Sequence, residues 1–476
     1  MTPIHFGTDG WRGQIADDYT FDNVRLAAQA TAEHRQRAGT AAQGAVVGYD
    51  TRFLSQSFAA AVAEVLAANG IKVGLTASAG PTPALSLAVI QRGAGAGIMI
   101  TASHNPARWN GYKLKKHYGG SAPPAVTCAI EDSIPAIVAE GRVRTMPLGE
   151  AESRGLVERF DQRTPYLARL RELVDIEAIR EAGLHVLQDS MHGAAMGCLT
   201  ELLAGGSTRV EELRGSRNPA FPDMRAPEPI APNLANQLAT LAQGGYDVGL
   251  SNDGDADRLG FADEHGRFVT QLQTFAVLVR YLLKDRGERG SIVRSVTMTR
   301  MVDRLGERYD CPVYETPVGF VHLGPKMMET NALIAGEESG GYAVRGHIPE
   351  RDGIFTGLLL LEAMVKTGLS PSQLVAALYD EVGPHEYERV DITLRGDERD
   401  AIRARVAAAN PDRIAGLRVE SRDTLDGFRF VLEGGWWLLL RFSGTEPLLR
   451  ICAEMPSTMH VQQALQVGQE IARATL

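Results

Sequence analysis

Thr101-Ala102-Ser103-His104-Asn105-Pro106 follows directly on the apolar run Gly97-Ile98-Met99-Ile100, and Asn110-Gly111-Tyr112-Lys113 comes soon after it. A buried strand that ends in a hydroxyl and an imidazole, with an amine a short way on, can carry chemistry at its tip. Ser and Asn also form ordinary turns, and Pro stops strands. The motif therefore takes its meaning from what surrounds it.

Upstream, apolar periodicity predicts a helix over 21–37, a strand over 44–49 and a helix over 55–69, with Ser55 as N-cap and Gly70 as the stop. A strand over 72–77, a helix over 83–92 and a strand over 96–101 follow. This β-α-β-α-β alternation predicts a parallel sheet with helix-covered faces. The polar stretch 138–165 reads as a domain boundary. The alternation then restarts, with strands over 184–189, 209–213 and 247–250 and helices over 193–203 and 234–243. A hairpin over 261–270, a helix over 274–284 and a strand over 291–296 come next. A helix over 299–308, strands over 312–316 and 332–335, and helices over 354–367 and 371–381 complete the block. In the last block, strands over 387–394, 428–433 and 436–440 precede a closing helix over 457–474, which suggests an α+β unit.

The 476 residues are 44% hydrophobic and 22% charged, an ordinary globular composition, and the length suggests roughly three to four domains. A net charge of -9 speaks against non-specific nucleic-acid binding. An anionic ligand would have to meet single Arg and Lys residues in loops. The four cysteines are scattered without a CxxC pair, no basic-then-apolar leader opens the sequence, and no run approaches about 18 apolar residues. A cytoplasmic protein with no membrane or nucleic-acid partner is expected.

Four apolar strands each end in a loop rich in Gly, Ser and charge, at Ser103, Asp255, Glu338 and Ser443. Ligand sites of open α/β sheets lie beyond the carboxyl ends of strands, so four such loops could converge on one cleft. Phe6-Gly7-Thr8-Asp9-Gly10-Trp11-Arg12-Gly13 adds a glycine-rich loop with Arg12 at its charged tip.

Asp253, Asp255 and Asp257 alternate with small residues, which in an extended loop turns three carboxylates to one side. Three hard oxygens suit Mg²⁺ or Ca²⁺. An EF-hand is disfavoured, because Arg258 stands where its glycine belongs and a strand precedes the loop. Arg258 beside the ligands suggests that an anion shares the site. A fourth ligand is wanted, and a phosphoserine at Ser103 would supply it. Arg441, Ser443, Gly444 and Thr445 form a plausible phosphate cradle, with Arg450 nearby. Glu337, Glu338 and Ser339 suit hydrogen bonding to vicinal sugar hydroxyls. Lys113, if flanked by other cations, could lose its proton and act as a base, and His104 is its rival.

Taken together, Gly7–Gly13, Thr101–Pro106, Asp253–Arg258, Gly336–Gly341 and Arg441–Pro447, in this order and spacing, resemble the α-D-phosphohexomutases (phosphoglucomutase, phosphomannomutase and relatives) over essentially the whole chain. The resemblance implies four domains in a heart shape, three related mixed α/β units and a C-terminal α+β unit. Boundaries are expected at 145/146, 257/258 and 382/383. It implies a phosphorylated Ser103, Mg²⁺ on Asp253, Asp255 and Asp257, and Arg258 as their anion-binding neighbour. Glu337 and Ser339 would read the sugar, and Arg441, Ser443, Gly444 and Thr445 would grip the non-reacting phosphate. Arg12 and Lys113 would attend the transferring phosphoryl group. Val318-Gly319-Phe320-Val321-His322 resembles the substrate-specificity loop, but Val321 stands where many relatives carry Lys, so His322 or Lys326 could serve. Gly341 follows Gly340 where phosphomannomutases and phosphoglucosamine mutases often have His, which leans towards glucose phosphate.

The function expected is interconversion of hexose 1-phosphate and hexose 6-phosphate through phosphoserine and a hexose 1,6-bisphosphate. Glucose 1,6-bisphosphate would be the activator, and the enzyme a monomer or homodimer. Phosphoglucomutase comes first, with phosphomannomutase or phosphoglucosamine mutase as alternatives. A metal-dependent sugar phosphatase and a non-catalytic sugar-phosphate sensor stand further off.

Overall fold

The computed structural model describes residues 4–395, 398–443 and 448–473. Its strands assemble into four sheets. The first is built from β1 (Phe6–Gly7), β2 (Gly10–Gln14), β3 (Ala45–Tyr49), β4 (Val73–Thr76), β5 (Ala96–Ile100), β6 (Trp109–Lys116) and β7 (Val157–Phe160), in the order β1-β2-β6-β5-β3-β4-β7. Strands β3, β4, β5 and β7 run parallel, whereas β6 returns antiparallel to β5 and pairs with β2. The three strands expected to run parallel do so, and β6, β2 and β1 add an antiparallel edge that makes the sheet mixed. The two faces of β3 and β5 separate by alternation, as strand geometry requires. Val46 and Met99 pack with Leu85 and Val89 of the helix Thr82–Gln91. Val47, Ile98 and Ile100 face Val62 and Leu66 of the helix Ser55–Ala68.

The second sheet contains β8 (His185–Asp189), β9 (Arg209–Leu213), β10 (Val248–Asn252), β11 (Leu259–Ala262) and β12 (Phe268–Val269), in the order β12-β11-β10-β8-β9. The third contains β13 (Ile292–Ser295), β14 (Val313–Thr316), β15 (Ile334–Glu337) and β16 (Gly341–Val344), in the order β14-β13-β15-β16. The last is antiparallel throughout and consists of β17 (Glu386–Thr393), β18 (Arg413–Ile414), β19 (Leu417–Asp423), β20 (Phe428–Leu432), β21 (Trp437–Phe442) and β22 (Leu448–Met455). One face of this sheet buries Leu438, Leu440 and Ile451 under the helices Arg399–Ala408 and Thr458–Arg473. The other presents Trp437, Leu439 and Cys452 to Val296, which follows β13.

The structure shifts several sequence expectations. β7 lies in the stretch expected as a boundary, and its pairing with β4 carries the first sheet past 145/146. β11 and β12 belong to the second sheet, so that sheet runs past 257/258. The helix expected over 193–203 shrinks to Cys198–Leu203. Gly193 is pressed so closely on the Asp253–Gly254 backbone that a Cβ there would lie 2.8 Å from the Asp253 carbonyl oxygen. Ser55 is the first helical residue rather than the cap, and its hydroxyl donates to Asp50. The helices Phe320–Glu329 and Arg399–Ala408 and the strands β6, β16, β19 and β22 had no counterpart in the sequence reading. The apolar helix Gly353–Thr367 is almost wholly buried in the main core, and no single helix among the described residues is long and apolar enough to cross a membrane.

Candidate functional site

Ser103 sits at the turn between β5 and β6 and is fully buried. Its φ of 51° lies in the left-handed region, a conformation that costs about 1–3 kcal/mol for a side-chain-bearing residue and must be held by its surroundings. Three contacts hold it. The Ser103 N–H donates to Thr101 Oγ1 at 2.8 Å, and Thr101 Oγ1 donates to Asp50 Oδ2 at 2.6 Å. Arg52, itself fully buried, donates to four carbonyls of the loop: Ser103 (2.6 Å), Asn105 (2.5 Å), Pro106 (3.0 Å) and Trp109 (3.2 Å). On the far side Gly254 of the aspartate loop comes so near that a Cβ there would lie 2.4 Å from the Ser103 carbonyl oxygen.

That approach brings two sequence-distant loops into direct contact. Ser103 Oγ donates to Asp253 Oδ2 at 2.8 Å and lies 3.4 Å from His104 Nδ1. Asp253, Asp255 and Asp257 are fully buried, with carboxylate oxygens within 4.8 Å of one another. Their convergence comes from a turn, not from the extended loop expected: Ala256 has φ 60°, and its N–H donates to the Asp253 carbonyl at 3.0 Å. Thr82 Oγ1 donates to Asp255 Oδ2 at 2.5 Å. Asp255 Oδ1 and Asp257 Oδ1 are buried without a hydrogen-bond partner. Orphaned hard oxygens in a buried trio of carboxylates fit a divalent cation. Burial, reinforced by Asp255 and Asp257, pushes the Asp253 carboxyl well above its usual range, although Arg258 and Lys113 work against the shift.

The surroundings of Lys113 correct the sequence reading. Its Nζ faces three carboxylates rather than other cations: Asp255 Oδ2 at 2.8 Å and Asp257 and Asp9 Oδ2 at 2.9 Å. Burial alone would lower its pKa, but Asp255, Asp257 and Asp9 override that and raise it, so Lys113 is held as a cation. His104 goes the other way. Burial, joined by Arg258, Arg12, Lys113 and Arg52, holds its imidazole well below 6.5 and therefore neutral.

Arg12 donates to Asn105 Oδ1 at 2.6 Å and lies 3.5 Å from Asp9. Arg258 lies 4.0 Å from Asp253, 3.9 Å from Asp257 and 3.3 Å from Glu228. Glu337, at the end of β15, accepts from Ser339 Oγ at 2.7 Å and from Arg351 at 2.8 Å. Glu338 points elsewhere, to Arg389 of β17 at 2.8 Å, so it leaves the expected sugar-binding group. Gly319 has φ 115° and opens the helix Phe320–Glu329 next to Thr8, while His322 lies in its first turn. Lys326 is engaged by Glu329 at 2.8 Å. Arg441 pairs through Nε with Asp426 at 2.9 Å, and Ser443 is buried, its carbonyl accepting from Arg399 at 2.8 Å. Gly444 and Thr445 lie outside the described residues.

Sequence reasoning missed Arg351, the central tie of this site. Its guanidinium reaches Asp9 (2.7 Å), Asp257 (2.9 Å) and Glu337 (2.8 Å), joining the N-terminal, aspartate and Glu337 loops. It also accounts for Gly341, where a Cβ would lie 2.1 Å from Arg351 Cδ. Arg52 was missed as well, although Asp50-Thr51-Arg52 stands at the end of β3 just as the other loops stand at their strand ends.

Comparison with known proteins shows the family of the chain. The chain matches the phosphoglucomutase/phosphomannomutase alpha/beta/alpha domains I, II and III over residues 3–140, 164–266 and 271–382, and the C-terminal domain of that family over 399–467. It is 30% identical to "Phosphoglucomutase/phosphomannomutase" of Thermococcus kodakarensis, covering 99% of each chain. It is 33% identical to "Probable phosphoglucosamine mutase" of Methanothermobacter thermautotrophicus, covering 95% of this chain and 94% of the relative. The crystal structure of a "putative phosphomannomutase" from Thermus thermophilus superposes with a TM-score of 0.85 at 35% identity, over 99% of both chains.

Proposed function

We propose, for a chain that belongs to the phosphoglucomutase/phosphomannomutase family, that phosphorylated Ser103 exchanges its phosphoryl group with the O1 and O6 positions of a hexose phosphate. Members are isomerases of the phosphohexomutase type, and this protein is one of them. The residue roles and the hexose are our reading. One observation carries it: a strained, buried serine hydroxyl 2.8 Å from one carboxylate of a trio that holds two orphaned oxygens.

In this reading the P–Oγ bond of phospho-Ser103 breaks as a bond forms to the free hydroxyl of the hexose phosphate. The hydroxyl proton goes to a base, for which we take the neutral imidazole of His104, 3.4 Å from Oγ, and the Ser103 oxygen left behind takes up a proton in return. The resulting hexose 1,6-bisphosphate turns over in the cleft and returns its other phosphoryl group to Ser103. Added glucose 1,6-bisphosphate would restore phospho-Ser103 after any loss. Asp253, Asp255 and Asp257 are the residues that would hold Mg²⁺, which supplies positive charge to the phosphoryl oxygens. Lys113, Arg12 and Arg258 add fixed cationic charge around the same point. Glu337 and Ser339 bind the sugar hydroxyls, with Arg351 orienting Glu337. Arg441 and Ser443 hold the distal phosphate. Burial of Ser103 keeps water from the phosphoserine, which favours transfer over hydrolysis.

The test is peptide mapping for phosphate on Ser103, together with the rate of Ser103→Ala on glucose 1-phosphate in the presence of glucose 1,6-bisphosphate. Loss of nearly all turnover is expected, and wild-type turnover refutes the reading. Release of inorganic phosphate without need of the bisphosphate would mark a phosphatase instead. Glucose 1-phosphate is the hexose proposed to react fastest. A higher kcat/KM on mannose 1-phosphate or glucosamine 1-phosphate would correct the hexose and leave the reaction intact.

A further inference from the structure

The turn between β19 and β20 carries Leu425, Asp426 and Gly427. The Asp426 carboxylate makes two contacts with different parts of the molecule. Its Oδ2 lies 2.9 Å from Arg441 Nε in β21. The same oxygen accepts from the Val318 N–H, also at 2.9 Å, in the loop that leads through Gly319 into the helix Phe320–Glu329. His322 in that helix feels the same carboxylate: burial lowers its pKa, and Asp426 is the charge that works against the shift.

The backbone is shaped for this approach. Gly427 has φ 113°, and a Cβ there would lie 2.9 Å from the Leu440 carbonyl oxygen and 3.2 Å from Arg441 Cα. A side chain at 427 would therefore lift the turn away from Arg441. The pairing of Phe428 with Leu440 places the turn beside Arg441 in register. Asp426 meets Arg441 on the Nε side as an ion pair, with no hydrogen bond from Nε, so its charge holds the guanidinium at the turn.

Resting on the function proposed above, we infer that Asp426 is a positioning residue that aims Arg441 at the distal phosphate and ties the Val318–His322 loop to the same carboxylate. Phosphate seating and placement of the substrate loop are then a single event.

The experiment uses the full-length enzyme as Asp426→Asn, Asp426→Ala and Asp423→Asn. Asp423 lies at the end of β19 and pairs with Arg429 at 2.6 Å, so its replacement removes a carboxylate near the same turn without touching Arg441. Asp426→Asn keeps an acceptor for Val318 but loses the charge facing Arg441. It should raise KM for glucose 1-phosphate about tenfold while changing kcat less than about threefold, as loss of one charge-assisted contact implies. Asp426→Ala removes both contacts and should lower kcat as well. Asp423→Asn should keep the wild-type KM. Unchanged KM in both Asp426 variants, an equal rise in Asp423→Asn, or a fall in kcat alone overturns the assignment. Should Asp426→Ala fail to fold, the nearly isosteric Asp426→Asn carries the test. Inorganic phosphate titrated by calorimetry is an independent readout: weaker binding in Asp426→Asn supports the role, and equal binding overturns it. Absence of mutase turnover in the wild type would refute the reaction, while the phosphate titration would still decide on Asp426.

Discussion

Replacing Arg52 by Met gives the sharpest prediction about how the serine loop is held. Arg52 is fully buried, lies 3.3 Å from Asp50 and stacks on Phe221 at 5.0 Å from its ring centroid. Met keeps much of the volume and the stacking but strands the Ser103, Asn105, Pro106 and Trp109 carbonyls together with the Asp50 carboxylate. A buried acceptor left without its partner costs about 1–3 kcal/mol, and breaking one side of a buried ion pair about 3–5 kcal/mol. Thr101, Ser55 and the Arg52 N–H already bond Asp50, and the loop can relax. A net loss on the order of 4 kcal/mol follows rather than the sum of these costs. At about 2–4 °C per kcal/mol for a domain of this size, Tm should fall by roughly 8–16 °C. Ser103, released from φ 51°, should drift from Asp253. A misplacement of about 1 Å costs on the order of a hundredfold in rate. Calorimetry and a coupled assay on glucose 1-phosphate at a temperature where the variant is folded read both effects. Arg52→Lys, with three donors for four carbonyls, should fall between. A variant with a lowered Tm but kcat within about twofold of wild type would refute the idea that Arg52 sets the serine geometry.

Asp257→Asn should raise the Mg²⁺ concentration for half-maximal rate by more than about tenfold, the loss expected even for groups one shell further out. Mg²⁺ added to chelator-treated wild type should raise Tm, because the cation binds only the folded carboxylate trio; an unchanged Tm would count against that trio as the metal site. His104 is held neutral well below 6.5, so the acid limb of kcat/KM should lie below that pH rather than at it. The unfolded chain takes up this proton near 6.5 and the folded chain does not, so the associated stability is present above 6.5 and lost as pH falls below it. The Tm of His104→Gln should accordingly gain on wild type only below pH 6.5, and parallel curves would disprove the shift. Gly341→Ala should push Arg351 off Glu337, cost about 1–3 kcal/mol by overpacking and raise KM for the hexose phosphate; an unchanged KM would show that Arg351 does not orient Glu337.

Much of this molecule was legible in its sequence because the informative signals are local. Apolar runs of strand length, each ending in Gly, Ser and charge, exposed the Ser103, Asp255 and Ser443 loops, since strand and turn preferences act over a few residues. The helices Phe21–Arg37 and Gly353–Thr367 were found within a residue of their ends. Weaker local signals failed where tertiary packing decides. β7 is a short strand with two exposed residues, and it exists because β4 offers it an edge. The helix Phe320–Glu329 forms although Gly319 precedes it and Pro325 lies inside it.

The residues themselves, and the order in which the strand-end loops occur, belong to the sequence alone. Their electrostatic state belongs to the fold. Lys113 was expected among cations, yet its charge is set by Asp9 and by Asp255 and Asp257, more than 140 residues further along the chain. Arg351 meets Asp9 across a separation of 342 residues, and Asp426 meets Val318 across 108. A side chain's charge, orientation and strain are fixed by its neighbours in space at low dielectric. Contacts between residues so far apart in the chain leave no trace in periodicity or composition, and only the assembled domains bring them together.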